Sequence, residues 1–138
     1  MADLSRFLTA QDYDYENALE EIRRGRKCSC WMWYIFPQIQ GLGKSSMSRY
    51  YAIKDMQEAM DYINHEILGK RLIEITEALL QLESNDALAV MGWPDDMKLK
   101  SSMTLFSYAA PEIPIFPAVL EKFFDGEECQ HTKRILGA

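Results

Sequence analysis

Glu66-Ile67-Leu68-Gly69-Lys70-Arg71-Leu72-Ile73-Glu74-Ile75-Thr76-Glu77-Ala78-Leu79-Leu80-Gln81-Leu82 is the longest periodic segment of the chain. Ile67, Leu68, Leu72, Ile75, Leu79 and Leu82 recur at three- and four-residue steps, which puts them on one inward-looking face of a helix. Upstream, Asp55 followed by Glu58 is a capping box ahead of Ala59, Met60, Tyr62 and Ile63, and it predicts a helix running to Asn64. Downstream, Ser84-Asn85 breaks the pattern, Asp86 caps a short helix through Met91, and Gly92 closes it. Pro94-Asp95-Asp96 then opens a helix carrying Met97, Leu99, Met103, Leu105, Phe106 and Tyr108. Pro111 and Pro114 separate it from a last helix near Phe116 to Phe124 and a terminal turn at Thr132 to Leu136.

Towards the amino terminus, Glu16 to Arg24 has acids early and arginines late, the polarity that suits a helix dipole, and Gly25 ends it. Ahead of it, Asp3 or Ser5 caps a short turn with Leu4, Phe7 and Leu8, and Tyr13 and Tyr15 fall in a polar link. The aromatic run Trp31 to Phe36 predicts one helical turn that Pro37 stops, followed by an extended loop with Gly41, Gly43 and three serines. No run sustains period-two alternation. The expectation is an all-α fold: a single irregular multi-helix domain with a Gly/Ser loop after an aromatic segment.

Composition narrows the function classes. The 138 residues are enough for one hydrophobic core, and 48% hydrophobic with 26% charged residues is the profile of a folded globular chain. A net charge of -6 supplies no basic field for phosphate backbones, so nucleic acid is not an expected partner. No stretch has the roughly 18 uninterrupted apolar residues of a membrane span, and the first residues lack a signal-peptide layout, so no membrane and a cytoplasmic location are expected. Cys28, Cys30 and Cys129 form an odd set best read as reduced thiols. Joined with His131 they are a poor match to zinc spacing, because C-x-C is not C-x-x-C; no metal and no cofactor are expected.

The opening Asp3-Leu4-x-Arg6-Phe7-Leu8-x-Ala10-Gln11, Gly25-Arg26-Lys27 leading into Trp31-Met32-Trp33-Tyr34-Ile35-Phe36-Pro37-Gln38, and Gly41-Leu42-Gly43 form one set of motifs. Leu68-Gly69-x-Arg71-Leu72 and Asp95-Asp96-Met97-Lys98-Leu99-x-Ser101-Ser102-Met103-Thr104-Leu105-Phe106 form another. Together they resemble the domain of unknown function 1810 family across essentially the whole chain. The resemblance implies a small, mainly helical bacterial protein with no established activity. Some members carry a calpastatin label, which fits poorly here because calpain inhibitors are disordered and this composition is that of a packed domain. Where the family pattern has Ser-His-Trp-Met-Trp, this chain has Ser29-Cys30-Trp31-Met32-Trp33, which removes a candidate general base.

The residues that carry chemistry fall in two clusters. Trp31, Trp33 and Phe36 are either core or the wall of a pocket, and Gln38, behind a proline, is placed to read a ligand's hydrogen-bonding edge or to staple its own loop. Gly41-Leu42-Gly43-Lys44-Ser45-Ser46 offers amides, a lysine and hydroxyls, yet it lacks the glycine spacing of a P-loop. Lys98, Ser101 and Ser102 lie at helical spacing near the start of the late helix, where small hydroxyl residues either admit a neighbouring helix or line a pocket. His65 and His131 have no motif that sets a nucleophile beside them.

Two readings follow. In the first, Trp31, Trp33, Phe36, Gln38, Lys98, Ser101 and Ser102 surround a small polar, nucleotide-like or anionic metabolite. Turnover is left open, with Asp96 or Lys98 as acid or base. In the second, exposed aromatic and methionine side chains form a docking patch for a protein.

Overall fold

The computed structural model describes residues 2–138. Among them are nine helices: α1 (Ser5–Arg23), α2 (Met32–Ile35), α3 (Ser46–Tyr50), α4 (Met56–Asn64), α5 (Leu68–Leu80), α6 (Ala87–Met91), α7 (Asp95–Ala109), α8 (Ile115–Phe124) and α9 (Gln130–Leu136). The chain is an all-α single domain. The segment that decides the fold forms α5, which packs against α1, α4 and α8 through Leu68, Leu72, Ile75 and Leu79. Its start is two residues later than periodicity predicts. His65 Nδ1 accepts from the amides of Ile67 (3.1 Å) and Leu68 (3.2 Å), so an imidazole serves the first turn where a Ser or Asp usually does.

The turn, link and short helix expected at the amino terminus are one 19-residue helix. Gln11 and Tyr15 carry the buried stripe through the polar stretch, between Phe7 and Ala18, Leu19 and Ile22. The buried Gln11 amide is satisfied at its nitrogen, where Nε2 donates to the Tyr34 carbonyl at 2.7 Å and the Tyr62 hydroxyl at 2.8 Å, while Oε1 has no partner. Tyr15 donates its hydroxyl to Glu74 at 2.6 Å, tying α1 to α5.

The middle of α7 is enclosed on every side, since Ser101 to Phe106 are all buried between α4, α6, α8 and α9. Two of the three hydroxyls there turn back on their own helix, while Ser102 Oγ has no partner. Ser101 Oγ lies 3.1 Å from the Met97 carbonyl, and Thr104 Oγ1 donates to the Lys100 carbonyl at 2.8 Å.

The Gly/Ser loop is a lobe with a closed neck. Gln40 N–H donates to the Ile53 carbonyl (2.8 Å) and Ile53 N–H to the Gln38 carbonyl (2.9 Å), a single parallel bridge between Ile39 and Ile53. Inside the lobe the expected plain loop contains α3, capped by the Ser45 side chain accepting from Ser48 N–H. Gly43 is required by proximity: a Cβ there would lie 2.4 Å from Ser48 Cβ. Arg6 holds the lobe against α1 and α4, donating to the carbonyls of Tyr50 (2.9 Å) and Ala52 (2.8 Å) and pairing with Glu58 at 2.9 Å.

Candidate functional site

The aromatic segment starts from a buried carboxylate. Glu21, near the end of α1, accepts from the amides of Cys28 (2.6 Å) and Ser29 (3.0 Å), the Ser29 hydroxyl (2.6 Å), Asn17 (2.9 Å) and the Trp31 indole (3.0 Å). Burial alone raises the Glu21 pKa, but these donors overcome it and hold the carboxyl at about 2. They orient residues 28–31, and α2 begins directly after.

The helical turn then divides the aromatics. Trp31, Met32, Ile35 and Phe36 point into the core, and Trp31 is completely buried with Lys27 Nζ 4.9 Å from its ring. Trp33 and Tyr34 are half-buried on the outer side. The reading of Trp31 as pocket wall therefore gives way to its role as core, and Ser102, also completely buried, lies among the core residues of α7 and not on any opening described below. A single turn of helix cannot show two tryptophans two positions apart to the same side.

Four of the seven sequence-predicted residues come together around one cavity, and a fifth, Ser101, lines the groove beside it. Trp33, Phe36, Gln38 and Lys98 meet Ser48 and Tyr51 around a cavity of about 10 Å³, room for no more than one water. Lys98 Nζ stands 5.2 Å from the Trp33 ring centroid, a cation on an aromatic face, and 3.8 Å from Asp95. Asp95 is held from the other side by Lys27 at 2.8 Å. The Trp33 indole N–H is buried without an acceptor, an unusual state for a donor that costs about 1–3 kcal/mol to leave unmade.

Gln38 and Lys98 also line an adjoining groove of about 260 Å³, with Gly43, Ser101, Cys129 and His131. Gly43 continues into a depression of about 440 Å³ bounded by Gly41, Lys44 and Arg49. Thus α7, the neck of the lobe and the start of α9 form a run of connected hollows with three cations, Lys44, Arg49 and Lys98, on a chain whose net charge is -6. A separate depression of about 430 Å³ lies between Arg23 and the Glu74 and Glu77 carboxylates and contains none of the predicted residues.

Sequence reasoning missed Cys129, which it read only as one of three reduced thiols. Cys129 N–H donates to Thr104 Oγ1 at 2.9 Å, which fixes the start of α9 against α7, and Sγ lies 3.3 Å from Ser101 Oγ. Burial pushes the thiol pKa up, but hydroxyls of Ser101 and Thr132 and the amides of Thr132 and His131 outweigh it, so the thiol sits below its ordinary value. The only signal was Ser101 at helical spacing from Lys98, with no way to say which distant residue would meet it. Cys28 and Cys30 are exposed and line none of these hollows. Among the described residues no group of three or more His, Cys, Asp or Glu is arranged to hold a metal ion, and no helix is long and apolar enough to cross a membrane.

No curated protein matches the chain. Among solved structures, the conserved hypothetical protein Rv1873 from Mycobacterium tuberculosis is similar over 99% of this chain and 97% of its own, with 42% sequence identity and a TM-score of 0.96. The family described as protein of unknown function (DUF1810) matches residues 1–136. With that match spanning nearly the whole sequence, the chain belongs to the DUF1810 family.

Proposed function

We propose that the groove between α7, the lobe neck and the start of α9 binds a small anionic metabolite with a flat or apolar part. The observation that carries this reading is Lys98, which stands at the junction of the Trp33 cavity and the larger groove and lines both with Gln38. An anionic group between Lys98 and the Gly43 segment meets a cation and backbone amides, while Met97, Pro94 and Leu42 offer apolar contact to the rest. Lys44 and Arg49 extend the positive field for a second charged group. Trp33 contributes the wall that positions Lys98. Phe36 lines the same cavity, and Trp31 packs near it from the core with ring centroids 6.2 Å apart.

Thermal-shift titration with inorganic phosphate, nucleoside phosphates and dinucleotides tests it. Binding raises stability as RT ln(1 + [L]/Kd), about 2.7 kcal/mol at a hundredfold excess over Kd, and Lys98→Met removes the rise. No shift with any of these compounds defeats the reading. The interaction reading then leads, favoured by one observation: Leu88, Trp93 and Met97, close in sequence across the α6–α7 turn, are exposed, Trp93 at 77%.

A further inference from the structure

Cys129 is set apart from the other two thiols by its surroundings. Cys28 and Cys30 are on the outer surface, whereas Cys129 is half-buried and lines the 260 Å³ groove beside Lys98, Ser101 and His131. Its sulfur has a directed set of neighbours. Ser101 Oγ is 3.3 Å away, and the first residues of α9, His131 and the completely buried Thr132, follow directly and favour the thiolate. Ser101 has one proton to place. Directed at the Met97 carbonyl, 3.1 Å away, it leaves its oxygen to accept from the S–H; directed at sulfur, it stabilises the thiolate. The same pair of residues thus serves both protonation states without moving a heavy atom.

We propose that Cys129 is a nucleophilic modification site that reacts with low-molecular-weight anionic disulfides seated in the groove by Lys98. The Cys129 thiolate attacks one sulfur of the disulfide in line with its S–S bond. A new S–S bond forms at Sγ, the original one breaks, and the distal sulfur leaves as a thiolate that takes a proton from water. Cys129 is oxidised and the departing sulfur reduced, so no further oxidant enters. The groove supports a disulfide over a peroxide because its volume and cation suit a charged molecule of several heavy atoms. It supports a persistent mixed disulfide over an internal one because no second cysteine lines it. Modification fills the groove, so thiol state governs the metabolite site proposed above. The inference shares that groove but not its ligand.

The test uses the full chain with Cys28→Ser and Cys30→Ser, leaving Cys129 as the sole thiol, and two probes: dianionic dithiobis-nitrobenzoate and neutral dithiodipyridine. The folded chain reacts with the dianion faster than the same chain unfolded in urea, and the pH–rate inflection lies below that of the unfolded thiol. The charged and titratable groups near Cys129 are Lys98 on α7, paired with Asp95 at 3.8 Å while Lys27 holds that carboxylate from the other side, and His131 on α9, with Glu127 and Glu128 in the preceding turn paired to Lys100 and Lys133. Lys98→Met slows the dianion about fivefold, as loss of one nearby charge does, and leaves the neutral probe unchanged. Ser101→Ala raises the inflection with both probes. A folded thiol no faster than the unfolded one, or equal slowing of both probes by Lys98→Met, overturns the proposal. Failure of metabolite binding reads differently: thermal shifts vanish while thiol rates stand.

Discussion

Glu21 shows how much one residue can organise. It is 2% exposed, has no cationic partner among the ion pairs, and is satisfied by five donors drawn from residues 17 to 31. Its folded pKa of about 2 lies below the ordinary 4.5, so its stabilisation is fully present above about pH 4.5 and is lost as the pH falls towards 2. Glu21→Gln places an amide N–H₂ against donors and removes the charge that strengthens them. The expected loss is about 2–3 kcal/mol in urea unfolding at pH 7, with a flatter stability profile than the parent between pH 5 and pH 2. At this scale the sequence was partly legible. Glu21 stood out only as one acid of an amphipathic helix, because its partners lie past a glycine turn whose direction no local rule gives. Gln11 and Cys129 could not be placed from the sequence for the same reason: each is polar or marginal alone and takes its position only because distant groups meet it.

Elements were more legible, because helical period is written in residues three and four apart. α4, α5, α6, α7 and α8 were all foreseen to within a few residues. The failures lie where polar side chains interrupt the stripe, as in α1, or where a short helix buries no residue and so carries no apolar pattern, as in α3. Gly69 offers a test of element packing. It lies in the first turn of α5, where glycine is a poor helix former, and Ala there gains about 0.8–1 kcal/mol of propensity. A Cβ at that position, however, would lie 2.1 Å from the Ile63 carbonyl oxygen at the end of α4. The clash outweighs the propensity. Gly69→Ala is expected to lower stability by about 1–3 kcal/mol, read as a fall in Tm. A rise in Tm would show that α4 and α5 approach less closely than described.

At the scale of the whole molecule, one contiguous core joins α1, α2, α4 to α8 and the bridge residues Ile39 and Ile53. No division of that core is available to unfold by itself, so far-UV and near-UV circular dichroism are expected to report coincident transitions in urea. Non-coincidence would mark the lobe between Gln40 and Ala52, held by its neck and Arg6, as a separate unit. The all-α class and the helical register followed from the order of apolar and polar residues alone, since hydrogen bonding within a helix is local and its buried face repeats with the chain. Which residues open onto the groove was settled only in three dimensions. A helix surrounded on all sides, such as α7, has no outer face for the pattern to reveal, so Ser101 and Ser102 look alike in sequence, yet one reaches Cys129 and the other is sealed in the core. Likewise, Trp31 and Trp33 differ by only two positions. The turn of helix between them sends one inward to Glu21 and the other outward to Lys98, because side-chain direction depends on what packs on each face.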